Sequence, residues 1–430
     1  MNQVDEKLGQ LGGLNLHLVP SKKFKTISFV VRFKAPLNRT TVTERALLPY
    51  ILRQASNKYS SRRELQQKLD DLYGAFFSIN GAKKGNFHII TFRLEIPNPR
   101  FLENESALIE DSFKLLNEII NRPKVSGNSF DSSIVDREKE TLKQKIDSIR
   151  DDKMSYANMR LIDEMCKDEV YQTHVHGYLD DLSTIDGKSL YTYYQSLLQE
   201  DSMDFYVLGD FEEINVRNSI TAMFKKDKVL NKSFQFLKGN KKRIEPKLIT
   251  EKQDLQQAKL HIGYRTNCTY SDKLYFALHV FNGMYGGFPN SKLFVNVREK
   301  NSLAYYASSR LESHKGLLFV FSGIAPKDFQ QAKKIIDQQM EAMKNGDFTE
   351  DEISSTKELI VNQLLETLDH PLGIIEMLYQ QVVANHTLSP DDLIANIKKV
   401  SRQNILDIAQ LIEEDTTYLL TNKGKEQLND

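Results

Sequence analysis

The sequence predicts an α+β protein made of two similar domains, each a mostly antiparallel sheet covered by helices. The chain has 430 residues, and a single hydrophobic core stops growing near roughly 250–300 residues, so at least two domains are expected. In both halves, strand-like segments precede helix-like segments. Each half also closes on a strand, MDFYVLGD in the first and TTYLLTN in the second. We interpret this repeat as an internal duplication of one α+β unit.

Composition excludes several classes of function. Lys and Arg total 58 and Asp and Glu total 58, so the net charge of +0 argues against nucleic acid or an anionic membrane as the main partner. No run approaches the roughly 18 apolar residues of a membrane span, and the polar N-terminus lacks a signal-peptide pattern. Cys166 and Cys268 form no metal-type pair, which fits a reducing compartment. We expect a soluble cytoplasmic protein.

The first half, residues 1–224, begins with strands and continues with helices. Alternation predicts a strand over TISFVVRF, and AFFSING with NFHIITFRLEIP predicts a hairpin around AKKG. A helix is predicted over TERALLPYILRQA despite Pro49, and another over SRRELQQKLDDL, which begins at Ser61. A long charged helix with breaks is expected over residues 130–165.

Composition changes between residues 225 and 247, which are lysine-rich and have little apolar periodicity. A solvated linker is the first interpretation. A basic binding arm is the alternative, but it lacks aromatic residues at base-stacking spacing. The strand and helix pattern restarts in the second half, residues 248–430.

One stretch of the second half, GGFPNSKLFVNVREKNSLAYYASSR, combines a turn, a helix and a strand. Gly286, Gly287 and Pro289 signal the turn. SKLFVNVREK has helical spacing and places Ser291 to cap the helix, while LAYYASS predicts an aromatic strand.

Arg298 ends this helix and Tyr305 lies in the strand, seven residues further on. A helix–turn–strand of this spacing brings a guanidinium, with five fixed donors, and a phenol hydroxyl towards one point. On the residues alone, the alternative is an arginine that meets the helix dipole and a tyrosine that packs in the sheet.

The pattern SKLF-x-x-VRE-x-x-x-LAYY resembles the signature of the second domain of the insulinase/pitrilysin metallopeptidase family, which includes the mitochondrial processing peptidase. The resemblance covers essentially the whole chain, and that family is built from duplicated α+β units. Its Arg and Tyr, seven apart, hold the substrate backbone at a zinc site. The resemblance therefore implies that Arg298 and Tyr305 bind substrate.

Active members of the family carry HxxEH on a helix of the first domain. The two histidines and a downstream Glu bind zinc, and the Glu of the motif activates the bound water. When the HxxEH motif is aligned to this chain by its flanking segments, it falls on five residues: Leu47, Leu48, Pro49, Tyr50 and Ile51. None of them binds zinc or acts as a base, and the third-ligand position matches a cation, Lys145. The resemblance thus implies no catalytic residue and no metal site in this chain.

The remaining histidines offer one alternative metal site. His174 and His176 form a close pair with Asp180 and Asp181 nearby, but the family carries a structural turn at this place. His88 alternates with apolar neighbours and is predicted to lie on a solvated face of its strand.

These observations favour a non-catalytic, peptide-binding subunit of a heterodimeric zinc peptidase. Its expected partner is a homologous chain that contains HxxEH and brings the zinc, since no cofactor is expected here. Peptidase activity is then expected only from the pair of chains. The alternatives are a structural scaffold and a stand-alone peptide-binding module. Retention of Arg298 with Tyr305 argues against the scaffold, which needs neither.

Overall fold

The computed structural model describes residues 4–103, 107–224 and 245–423. Contacts divide the chain into two compact units. The first unit combines Asp369–Met377 with most of the described residues before 225. The second unit combines Ile149–Gln172 with the other described residues after 244.

The predicted domain boundaries, residues 1–224 and 248–430 with a linker at 225–247, stay a prediction. Residues 225–244 of that linker lie outside the described part of the chain.

The strands before residue 224 form a six-stranded sheet and a small two-stranded ribbon. In chain order these strands are β1 Lys7–Leu11, β2 Leu14–Pro20, β3 Thr26–Pro36, β4 Phe76–Lys84, β5 Phe87–Pro97, β6 Val125–Ser126, β7 Ser129–Phe130 and β8 Ser202–Gly209. The sheet order is β1-β2-β8-β3-β5-β4, and β6 pairs with β7. Strands β2 and β8 are parallel, and the other pairs in the sheet are antiparallel. The predicted β4–β5 hairpin is confirmed.

The helices before residue 224 include the two that were predicted over TERALLPYILRQA and SRRELQQKLDDL. They are α1 Val42–Leu52, α2 Arg62–Asp71, α3 Leu108–Asn121, α4 Ser132–Asp151, α5 Lys153–Met165, α6 Gly187–Glu200 and α7 Glu213–Met223. The expected break in the long charged helix lies at Asp152, whose carboxylate accepts from the Met154 amide (3.1 Å) and caps α5. Helix α5 belongs to the second unit.

The second unit contains a five-stranded sheet. Its strands are β9 Lys247–Gln253, β10 Ala258–Arg265, β11 Ala304–Glu312, β12 Leu317–Ile324 and β13 Glu413–Asn422, in the order β11-β12-β10-β13-β9. The later helices are α8 Tyr275–Asn282, α9 Phe329–Asn345, α10 Glu350–Thr367, α11 Pro371–Ala384, α12 Pro390–Lys399 and α13 Arg402–Leu411. No helix in the described ranges is long and apolar enough to cross a membrane.

The two sheets share one topology, which confirms the predicted duplication. The order β2-β8-β3-β5-β4 in the first sheet matches β9-β13-β10-β12-β11 in the second. The closing strand of each half pairs in parallel on one side, β8 with β2 and β13 with β9. On its other side it pairs antiparallel, β8 with β3 and β13 with β10. Each sheet thus ends on an antiparallel edge strand, β4 or β11.

The second sheet is covered on both faces, which explains why every residue of β12 is buried. Leu318 and Val320 pack with the helices that follow β10, whereas Phe319 and Phe321 pack with α5. Neighbouring residues of a strand point to opposite faces, so both sets are apolar only because both faces are covered. Strand β11 lies at the edge of this sheet and carries the predicted site residue Tyr305.

Candidate functional site

Two π-helices lie within the stretch that carries Arg298. Gly283–Gly287 continues directly from α8, and Phe294–Glu299 contains Arg298. The second has the wider hydrogen bond of this helix type, from the Lys300 amide to the Val295 carbonyl (2.9 Å). Short π-helices are rare and are frequent at functional sites. The helix predicted over SKLFVNVREK is therefore present, in a form that apolar spacing alone does not distinguish.

Gly286 is required for close packing of the first π-helix against β11. A Cβ atom there would lie 2.6 Å from the Ser309 hydroxyl oxygen and 2.7 Å from the Ser309 amide nitrogen. Gly287 is similarly close to Asn282, at 2.9 Å from its side-chain nitrogen. The turn predicted at these glycines falls later, at residues 288–290, because both glycines belong to the π-helix.

The side-chain cap predicted for Ser291 is wrong. Its amide donates to the Phe288 carbonyl (3.0 Å) and its carbonyl accepts from the Val295 amide (2.9 Å). The hydroxyl is buried and has no hydrogen-bond partner within the described residues. Main-chain hydrogen bonds therefore begin this helical segment without the side chain.

A helix-terminating turn connects Arg298 to the strand that holds Tyr305. Ser302 has a left-handed backbone, with φ of 52°. Its amide donates to the Arg298 carbonyl (3.0 Å), and the Leu303 amide donates to the Val297 carbonyl (3.1 Å). Each bond spans one residue more than its counterpart in the Schellman motif, as fits the end of a π-helix, and the apolar residues Val297 and Leu303 lie in the same core cluster. The turn fixes the direction in which the chain leaves Arg298 and enters β11.

Arg298 presents its guanidinium to solvent. The side chain is exposed, and its guanidinium carbon lies 4.6 Å from the centroid of the Phe294 ring one turn earlier. Among the described residues, no carboxylate lies within ion-pair distance. A guanidinium over an aromatic face keeps its donors available while its orientation is restricted.

Tyr305 is the extra residue of a β-bulge. Ala304 pairs with Ile324 and Tyr306 pairs with the next partner residue, Gly323, so Tyr305 has no partner in β12. Its side chain is 78% exposed, the highest value among the large apolar and aromatic residues of the described chain. Bulges are frequent at sheet edges and beside active sites, where they redirect a side chain. The bulge therefore explains how a strand tyrosine avoids packing in the sheet.

The next residue, Tyr306, is held in place by packing. Its ring lies against Gly323, where an added Cβ would be 2.5 Å from the Tyr306 Cε1 atom. The Lys259 ammonium lies 5.6 Å from the ring centroid. Burial raises the pKa of Tyr306 to about 12. Its hydroxyl is buried without a hydrogen bond within the described residues, unlike the solvated hydroxyl of Tyr305.

The structure thus places both predicted site residues in the second unit, on elements joined by one turn. Arg298 and Tyr305 are both exposed, and no hydrogen bond between their side chains is present. Both groups are open donors. The sequence did not predict Ser302, Gly323 or Lys259 as supporting residues, since a left-handed backbone and contacts across strands leave no local pattern.

The predicted HxxEH frame lies on α1, where its residues serve the core. Leu47, Leu48 and Ile51 are buried in the hydrophobic cluster of the first unit, and Pro49 lies within the helix. Tyr50 is half-buried, and burial raises its pKa. These side chains offer neither a metal ligand at the histidine positions nor a carboxylate at the base position.

A buried ion pair fixes the position of α1. Arg45 donates to the Asp201 carboxylate (2.6 Å) and to the carbonyls of Phe33 (2.9 Å) and His88 (3.1 Å). Both charged side chains are almost fully buried, at 2% and 6% exposure. Arg45 therefore joins α1 to β3, β5 and the start of β8.

Lys145, at the predicted third-ligand position, is exposed on α4. Its positive charge acts on His176, whose pKa is lowered first by burial and then by Lys145 and His174. His174 stacks on the Tyr178 ring, with centroids 4.8 Å apart. Within the described residues, no group of three or more His, Cys, Asp or Glu side chains is placed to hold a metal ion.

The prediction that His88 lies on a solvated face is wrong, because the side chain is 1% exposed. Alternation implies exposure only where one face of a sheet is open. Burial lowers the pKa of His88 well below its ordinary value, and Arg45, His176 and Lys83 add to this effect. His88 is therefore a neutral buried residue.

The duplicated α+β fold and the Arg–turn–Tyr arrangement define a class of two-domain peptidase-like proteins. A family profile described as "Peptidase M16 inactive domain" matches residues 184–360. The chain belongs to the M16 peptidase family, as its resemblance to the insulinase/pitrilysin enzymes implies.

Individual relatives agree over the full length. The chain is 46% identical over 428 residues to the "Probable inactive metalloprotease YmfF" of Bacillus subtilis, covering 99% of each chain. It is 22% identical over 416 residues to the "Antilisterial bacteriocin subtilosin biosynthesis protein AlbE" of Bacillus subtilis, covering 92% of this chain and 97% of the relative. The crystal structure of a conserved protein from Enterococcus faecalis is 33% identical and superimposes with a TM-score of 0.88, covering 97% of this chain and 99% of that one.

Proposed function

We propose that this chain is the non-catalytic, peptide-binding subunit of a two-chain zinc peptidase. Its partner is a homologous chain with HxxEH, which holds the zinc and the general base. This chain completes the substrate site with Arg298 and Tyr305. The chain's membership of the M16 family and its similarity to a relative named as inactive support a non-catalytic role.

The observation that carries the proposal is the presentation of Tyr305. A bulge removes it from the sheet pairing and leaves its side chain 78% exposed. A bulge at a sheet edge redirects a side chain, and here it directs to solvent a phenol that can donate a hydrogen bond. A scaffold gains nothing from an edge that presents a phenol, whereas a peptide-binding site gains a positioned donor.

The chemistry follows from the two side chains. Strand β11 is the edge of its sheet, so an extended peptide can pair with it through main-chain hydrogen bonds. Arg298 then donates charge-assisted hydrogen bonds to a peptide carbonyl. Tyr305 donates to the carbonyl under attack, and this bond strengthens as negative charge develops on the oxygen.

The residues at the HxxEH positions support a division of roles, in which the partner chain holds the zinc and this chain binds the substrate. Leu47 and Ile51 replace the two metal-binding histidines, and Tyr50 replaces the general base. Lys145 replaces the third ligand with a cation, which opposes a metal ion. Zinc is therefore expected in the partner, and no cofactor is expected in this chain.

The substrate class is a peptide that is matured by cleavage. One relative, AlbE, is named for the biosynthesis of an antilisterial bacteriocin, which supports peptide maturation as the process served. A cytoplasmic location is proposed because a reducing compartment fits two cysteines that form no metal-type pair.

Reconstitution tests the proposal. Three samples are compared: this chain alone, this chain mixed with the HxxEH-containing homologue of the same organism, and the homologue alone as the control. We expect zinc-dependent cleavage of an unstructured peptide from the mixture and little from either chain. Full activity of the homologue alone, or failure of the two chains to associate, would favour the scaffold or the stand-alone peptide-binding module.

A further inference from the structure

Strand β11 continues beyond Tyr305 as a free edge with its own exposed side chains. Among the described strands, only β12 pairs with it. Ala307 and Ser309 are buried, whereas Ser308 and Arg310 are exposed and follow Tyr306 at the two-residue period of a strand. A peptide paired with this edge would therefore pass Ser308 and Arg310 after Tyr305.

Arg310 is held in a defined position and carries an uncompensated charge. Its guanidinium carbon lies 5.3 Å from the centroid of the Phe321 ring, on the neighbouring strand. No carboxylate of the described residues lies within 4.0 Å of it. Glu312, two residues further along the strand, interacts with the Tyr171 hydroxyl, on which Arg310 also acts electrostatically.

Two other arginines of the second unit, Arg160 and Arg265, have acidic partners. Arg160 pairs with Glu164 at 2.7 Å, and Arg265 pairs with Glu169 at 2.7 Å. Arg310 thus differs from these structural arginines: it is aligned by an aromatic ring and its donors are open. Such a planar guanidinium is well suited to a carboxylate, which it binds through two parallel hydrogen bonds.

We propose that Arg310 is a subsite for a carboxylate of the bound peptide, either an acidic side chain or the C-terminal carboxylate. This inference rests on the proposed function, because it takes Tyr305 as the position of the scissile bond. Arg310 lies five positions beyond Tyr305 along the strand, a distance of roughly 17 Å. The carboxylate therefore lies about four to six residues from the bond that is cut, where cross-strand neighbours approach within about 5 Å.

The expected effect is a preference and not an absolute requirement. Exposed ion pairs contribute roughly 0.2–1 kcal/mol, which corresponds to about a 1.4- to fivefold change in affinity. Because salt screens exposed charges, the preference should shrink as ionic strength rises.

Binding of fluorescent peptides to the full chain tests this subsite. Each peptide of about twelve residues carries one Glu, moved stepwise along a neutral sequence, and is compared with the same peptide carrying Gln. Amidated and free C-termini distinguish the two sources of the carboxylate. Anisotropy gives the ratio of affinities for wild type, Arg310→Gln and Arg150→Gln. The last variant removes an exposed positive charge of the same unit that lies on α4 and not on β11.

We expect wild type and Arg150→Gln to prefer Glu about 1.4- to fivefold at one or two positions. Arg310→Gln should lose that preference and keep its affinity for the Gln peptides. An unchanged preference in Arg310→Gln, or an equal loss in Arg150→Gln, overturns the subsite. If Arg298→Ala weakens all peptides equally in the same assay, the proposed function stands even when the Arg310 subsite fails. If no peptide binds, both fail together.

Discussion

The ring of Tyr306 lies against Gly323, the residue with which it pairs in β12. An added Cβ at Gly323 would be 2.5 Å from the Tyr306 Cε1 atom and 2.9 Å from the Gln257 side-chain oxygen. This contact fixes one side of the bulge, so the orientation of Tyr305 depends on the absence of a side chain at Gly323.

Gly323→Ala should therefore lower the free energy of unfolding by about 1–3 kcal/mol, as overpacking does in a closely packed site. Denaturant unfolding measures this loss. In a Tyr306→Ala background the ring is gone and the cost of Gly323→Ala should shrink. An equal cost in both backgrounds would show that the two residues do not interact.

The left-handed backbone of Ser302 predicts a stabilising substitution. This conformation costs a non-glycine residue roughly 1–2 kcal/mol, part of which glycine loses again through its greater freedom in the unfolded chain. Ser302→Gly should thus raise the free energy of unfolding by about 0.5–1 kcal/mol. Ser308→Gly, in the extended strand β11, is the matched control and should be destabilising. The same sign for both variants would contradict the account of the turn.

The ion pair of Arg45 and Asp201 should be far more sensitive than an exposed pair. Asp201→Ala leaves a buried guanidinium without its carboxylate, and breaking a buried pair in this way costs about 3–5 kcal/mol. Lys114→Ala disrupts an exposed pair with Glu110 at 2.9 Å and should cost far less. Thermal and denaturant unfolding of both variants provide the comparison. Similar losses would mean that Arg45 does not anchor α1.

Glu169 should make stability depend on acid pH. Burial opposes its ionisation, but hydrogen bonds from Arg265 and Lys315 outweigh burial and lower its pKa from 4.5 to about 2. A carboxylate with a lowered pKa in the folded state stabilises above its unfolded pKa and loses this contribution as pH falls through the folded value. The free energy of unfolding should therefore fall between about pH 4.5 and pH 2. Glu169→Gln should flatten the curve in this range; an unchanged slope would contradict this assignment.

Patterns along the chain predicted the fold more completely than the site. Alternation located β3, and the two strand-like runs around AKKG located β4 and β5, because apolar residues of each strand pack in the core of the first unit. The same rule failed for His88, since it assumes that one face of the strand is open, whereas the His88 side chain is buried. The helix of Arg298 was predicted, but its π-form was not, because the two helix types share similar apolar spacing over so few residues.

One feature of the site, the bulge at Tyr305, depends on pairing between strands and cannot be seen in the sequence. The spacing of Arg298 and Tyr305 is visible in the sequence, whereas the bulge depends on the register between β11 and β12. Simple alternation would place Tyr305 and Tyr306 on opposite faces. The bulge interrupts that alternation, and it is the packing of Tyr306 on Gly323 that distinguishes the two tyrosines.

Peptide cleavage by the two-chain complex with Tyr305→Phe in this subunit is the most direct test of the central claim. Because the variant loses only a hydroxyl that is exposed, association and thermal stability should not change. Loss of a donor to the developing oxyanion typically lowers turnover by roughly 10²–10³, and we expect Arg298→Ala to act in the same direction. Tyr306→Phe, whose hydroxyl is buried, should retain cleavage. Undiminished turnover with Tyr305→Phe, or a loss that merely follows dissociation of the complex, would contradict a substrate-binding role and would favour the structural scaffold as the function of this chain.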